Sequence, residues 1–132
     1  METALTLPLL LLVSVGIFEF GRAYQTWQIL TNAAREGARI AVLPNSQTSD
    51  VQTRVVAYLR AGQLAGCDTS CVVVTPTTIS IGAANAAGSR VTVNYPFQFI
   101  VLQPVAQLVQ SNSSLGAGTI TLSASAEMRN EQ

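Results

Sequence analysis

Few residues in this chain are equipped for chemistry, and the cysteines are the first to weigh. Cys67 and Cys71 stand in the run Cys-Asp-Thr-Ser-Cys. A zinc-type centre would need two further His or Cys ligands, and the sequence holds none. A dithiol redox motif normally has two intervening residues, and here there are three. The expected role is a disulfide closing a short loop, contributing about 2 kcal/mol by the loop-entropy argument. Such a bridge persists in an oxidising compartment, so the spacing predicts an exported domain.

The other chemical groups are sparse. There is no His, which removes the usual general base at neutral pH and the commonest metal ligand. Asp50 and Asp68 are the only aspartates, and a helix cap and a turn account for them. No spacing of acids, hydroxyls or thiols forms a catalytic constellation, so neither an enzyme nor a cofactor is expected. The formal net charge is zero, which gives no electrostatic footprint for nucleic acid. Only 11% of residues are charged, against the ~25% usual in a soluble domain. A surface so poor in charge suits a subunit that buries itself against copies of itself.

The elements explain where that surface would be. Residues 1–43 read as one long helix, and residues 44–132 as an α+β head. Within the helix, residues 1–20 are expected to be transmembrane or in a polymer core, and residues 21–43 to pack on the head. The uncharged run from Thr3 to Phe18 would rise about 24 Å as a helix, a little short of a ~30 Å hydrocarbon core. No basic segment precedes the run and Phe-Glu-Phe-Gly-Arg follows it, so it is expected to be retained rather than cleaved as a signal. Pro8 predicts a kink or local unwinding near residues 4–8. The residues expected to pair subunits and build a core are Glu2, Leu5, Leu7, Pro8, Leu9, Leu10, Leu11, Leu12, Val13, Ile17 and Phe18. Glu2 has two readings. It is either a helix N-terminal acid favoured by the macrodipole, or the partner of a neighbouring subunit's positively charged N-terminus.

From Ile17 onward Phe20, Tyr24, Trp27, Thr31, Ala34, Ala38 and Ala41 recur at three- and four-residue steps. Phe20, Tyr24 and Trp27 fit an interfacial belt or a packed core, and the core reading assigns them to head–helix packing. Pro44 is expected to end the helix. A second helix is expected over about Val51 to Ala65, capped by Ser49 or Asp50 and stopped by Gly66. Strand-like segments follow at Val72–Thr75, Thr77–Ile81, Arg90–Tyr95 and Thr119–Met128, with a Gly/Ala loop over residues 82–88. Short connections predict an antiparallel sheet of three or four strands against the back half of the first helix.

Several ordered stretches carry a family resemblance. They are Glu2-Thr-Ala-Leu-Thr-Leu-Pro-Leu-Leu-Leu-Leu12, Phe18-Glu-Phe-Gly-Arg22, Thr31-Asn-Ala-Ala-Arg-Glu-Gly-Ala-Arg39, Val91-Thr-Val-Asn-Tyr-Pro-Phe97 and Ile120-Thr-Leu-Ser-Ala-Ser-Ala-Glu-Met-Arg129. The set resembles the TadE-like pseudopilins of tight-adherence (Tad) pilus systems. The resemblance implies a pilin-like α+β fold, trimming by a prepilin peptidase, residence in the inner membrane, and delivery to a pilus secretion machinery. The expectation is a structural subunit of an extracellular, cell-surface filament, a helical homopolymer with an inner-membrane intermediate in a bacterium. The alternative is a minor membrane-anchored pseudopilin that primes or caps assembly.

Overall fold

One helix runs from Glu2 to Ala41 although Pro8 lies inside it. The computed structural model describes residues 2–112, 114 and 116–130, the side chains of Glu2, Ala4, Leu5 and Val109 excepted. In it α1 runs Glu2–Ala41 and stays helical through Pro8, so the expected unwinding near residues 4–8 does not occur. Leu43 N–H still bonds Ile40 carbonyl at 3.0 Å, and Asn45 then takes a left-handed turn at φ 64°. The chain continues as α2 (Thr48–Ala61), a 3-10 turn (Thr69–Cys71), β1 (Val72–Ile81), β2 (Ala84–Gln98), α3 (Leu102–Val109) and β3 (Thr119–Arg129). The fold is α+β and pilin-like: a long apolar N-terminal helix with a three-stranded antiparallel sheet of order β1-β2-β3.

Two compact units divide the chain, one of Met1–Gln25 with Pro96–Thr121, the other of Thr26–Tyr95 with Leu122–Gln132. The hydrophobic core lies in the second. Leu30, Ala33, Ala34 and Ala38 of α1 meet Val51, Val55, Val56 and Leu59 of α2, with Val72, Val91, Val93 and Ala124 from the strands. Gly37 sets the spacing. A Cβ there would stand 2.5 Å from a Val55 methyl and 3.1 Å from a Val91 methyl, so only hydrogen lets three elements close on one point. Arg54 donates to Glu36 Oε1 from Nε (3.2 Å) and Nη2 (3.0 Å), and Gln52 Nε2 donates to Val72 carbonyl at 3.1 Å.

Helix α2 starts at Thr48, earlier than expected. Asp50 does serve at its start, its carboxylate accepting the backbone N–H of Gln47 at 3.2 Å. The stop is Gly62-Gln63 and not Gly66. Leu64 N–H bonds Leu59 carbonyl (2.9 Å) and Gln63 N–H bonds Arg60 carbonyl (3.0 Å), the paired bonds of a Schellman end. Gln63 holds the left-handed position, φ 63°, that usually carries glycine.

The sheet differs from expectation in two places. Residues 84–88 are strand rather than loop, because Gly82 (φ 62°) turns the chain in two residues and leaves Ile81 opposite Ala84. β1 also passes straight through Pro76, which pairs with Ser89. That is tolerated because β1 is an edge strand and the missing N–H costs no ladder bond.

Candidate functional site: the apolar helix and its clasp

The first half of α1 presents an apolar surface that the described residues leave largely exposed. Its most hydropathic 18-residue window is only 6% buried. Leu7, Leu9, Leu10, Leu11, Val13, Ile17 and Phe18 are each between 46 and 70% exposed, while Pro8 and Leu12 are half-buried. The side chains of Glu2 and Leu5, also expected here, lie outside the described residues. Hydroxyls within the span turn back on their own helix: Thr6 Oγ1 donates to Thr3 carbonyl (3.3 Å) and Ser14 Oγ to Leu10 carbonyl (2.9 Å). A hydroxyl satisfied in that way makes no demand on water, so the surface stays compatible with hydrocarbon.

Where the apolar run ends, the structure builds a clasp. Glu19 is only 1% exposed. One carboxylate oxygen accepts two backbone N–H groups, from Ile100 at 2.8 Å and Val101 at 2.6 Å. The other oxygen accepts Arg22 Nη1, and the Arg22 guanidinium lies 5.2 Å from the Phe97 ring centroid. Phe97 in turn meets Phe99 edge-on at 5.5 Å. A buried carboxylate is tolerable only when paired and hydrogen-bonded, and here both conditions hold. The chain just before α3 is thereby held at the level of residue 19 of α1. The i,i+3 pair of Glu19 and Arg22 is visible in sequence and, taken alone, is worth a few tenths of a kcal/mol. The two backbone bonds were not legible there. The available signal was an acid flanked by Phe18 and Phe20, which needs partners that α1 alone does not supply.

Phe20, Tyr24 and Trp27, assigned from sequence to head–helix packing, stand at the surface, 75, 54 and 44% exposed. The buried face of α1 is instead Glu19, Thr26, Leu30, Ala33, Ala34, Gly37 and Ala38, with Ala23 half-buried. Each aromatic lies one position beyond a residue of that face, about 100° round the helix. Small side chains win the contact side because Val55 and Val91 already occupy the space at Gly37.

Cys67 and Cys71, expected to pair as a disulfide, stand as thiols in the structure with their side chains in hydrogen-bonding reach of each other. Cys67 is buried, its Sγ donating to Asp68 carbonyl at 3.6 Å. Burial first, then hydrogen bonding with the Cys71 side chain, pushes its pKa up to about 12, so it stays a thiol at neutral pH. Asp68 caps the 3-10 turn by accepting Ser70 N–H at 2.9 Å and the Ser70 hydroxyl. These bonds, the hydroxyl's first, hold its carboxyl below the ordinary value.

Other concave features offer little chemistry. A cleft of about 210 Å³ is lined by Ala41, Ser46, Gln47, Thr48, Val51, Val74, Pro76 and Ser89, none of them an acid or base. Among the described residues there is no group of three or more His, Cys, Asp or Glu able to hold a metal. Residues 1–39 match the family model described as TadE-like protein, a match covering all but the last two residues of α1. No curated protein and no solved structure matches the chain. The matched segment is the same helix that is long and apolar enough to cross a membrane.

Proposed function

We propose that this TadE-like chain is the repeating subunit of an extracellular pilus-like filament that polymerises through its apolar N-terminal helix. The observation that carries the reading is the exposure of Leu7, Leu9, Leu10, Leu11, Val13, Ile17 and Phe18 on a helix face that the described residues leave uncovered. Fully burying one such side chain stabilises by about 1.5–3 kcal/mol, so a row of them does not stay in water. Lipid covers them before assembly and copies of the same helix cover them after it.

Transfer from lipid to polymer brings no hydrophobic gain, since lipid tails are as apolar as leucine. Close packing and polar register devices must then favour the polymer. In this reading Glu2 pairs with the positively charged N-terminus of a neighbouring subunit and sets the axial step. The partners are copies of the chain, the inner membrane, a prepilin peptidase and the pilus secretion machinery.

The test is electron cryo-microscopy of material sheared from the surface of the source cells. The expected result is filament density that traces as this chain, with α1 in the core and the heads outside. Filaments built of another protein, with this chain retained in the inner membrane, would overturn the subunit reading and leave a minor pseudopilin that primes or caps assembly.

A further inference from the structure

The charges of this chain are unevenly divided. From Val91 to Ala126 there is no charged residue, and Thr3 to Phe18 has none either. In the unit of Met1–Gln25 and Pro96–Thr121 the charged side chains are Glu2, Glu19 and Arg22. Glu19 and Arg22 neutralise each other, and Glu19 is otherwise satisfied by Ile100 and Val101 N–H. That bonding fixes Ile100 and the start of α3 at the end of the uncharged run of α1. The run rises about 24 Å of a ~30 Å hydrocarbon layer, so residue 19 falls at the layer's edge when α1 spans it. At that level Ile100 is 66% exposed, and Leu108 of α3 (70%), Phe18 and Phe20 are further exposed apolar side chains of the same unit. The only side-chain hydrogen-bonding groups on α3 are the amides of Gln103 and Gln107.

We propose that Ile100 and α3 form a second membrane-contacting element, lying in the headgroup region of the bilayer that α1 spans before assembly. The inference rests on the reading of α1 as a membrane anchor. Three observations favour lipid over a protein partner: the exposed side chains are apolar like those of α1 in the same unit, the depth of Ile100 is fixed by the Glu19 clasp, and α3 carries no charge by which a protein partner would be recognised. A carboxylate with both oxygens bonded within the protein is what the edge of hydrocarbon requires. Contact made this way needs no anionic lipid and is insensitive to salt.

The test uses the full chain in zwitterionic phosphatidylcholine vesicles, with lipids brominated either near the headgroups or near the chain ends as quenchers. Trp27, the only tryptophan, is changed to Phe, and single reporters are introduced as Leu108→Trp, Ile100→Trp and Val13→Trp. The expected result is that the reporters at 108 and 100 lose most of their emission to shallow bromines and little to deep ones, while the reporter at 13 is quenched by deep bromines. If the reporter at 13 is quenched and those at 100 and 108 are not, α3 faces water and the proposal fails while the anchor stands. Emission at 108 that escapes bromine but shifts to the blue as protein-to-lipid ratio rises shows a contact between copies, and also overturns it. No quenching at residue 13 defeats the anchor reading, and the proposal with it.

Discussion

Glu19 shows how one residue can carry more than its sequence neighbourhood suggests. Glu19→Ala removes the acceptor of the Ile100 and Val101 N–H groups, and hydrogen bonds to a charged group contribute about 1.5–3 kcal/mol. Amide hydrogen exchange in detergent should then quicken at Ile100 and Val101 by roughly tenfold or more, with Leu59 and Val91 unaffected. Unchanged exchange at 100 and 101 would show that the clasp does not hold this segment. Asp68 offers a pH prediction. Its folded carboxyl titrates below the ordinary 3.8 because Ser70 bonds the charged form. The turn it caps is therefore fully supported above the unfolded carboxyl's pKa and loosens as pH falls through the lower, folded value. An NMR titration of the Ser70 amide should give a midpoint below 3.8, and a midpoint at or above it would contradict the cap.

At the scale of elements, most starts and stops are set by local chemistry that sequence displays. The long α1, the strands at Val72, Arg90 and Thr119, and the role of Asp50 at the head of α2 were all readable from period and capping residues. The end of α2 was not, because Gln63 does in left-handed backbone what glycine usually does, and sequence pointed to Gly66. That misplacement suggests an improvement. Replacing Gln63 by Gly should stabilise the head by about 0.5–1 kcal/mol, since it removes the steric penalty of the left-handed position. Thermal unfolding of the two proteins side by side checks it, and a lower midpoint for the glycine variant would refute the Schellman assignment. The Gly/Ala stretch at 84–88 was likewise misread as loop. Its small residues lack strand propensity, and only pairing with β1 makes them strand.

For the whole molecule the decisive quantity is how closely backbones approach. Gly37 lies where α1, α2 and β2 converge, and a valine there must displace Val55 and Val91. Overpacking of that kind costs about 1–3 kcal/mol, so Gly37→Val should lower the denaturation midpoint of the head clearly. Retention of the parent midpoint would show that the three elements separate easily. This close approach also decides which side of α1 is used. Sequence by itself determined the apolar span, the α+β class, the poverty of charge and the lack of histidine, because these follow from composition and period. It also placed aromatics and small residues of α1 on one recurring stripe and assigned Phe20, Tyr24 and Trp27 to packing on the head. Tertiary structure covered the small residues, since only alanine and glycine admit Val55 and Val91, and it left Phe20, Tyr24 and Trp27 outside. It alone joined Glu19 to Ile100 and Val101, some eighty positions away, because a buried carboxylate takes whatever N–H groups the fold brings to it.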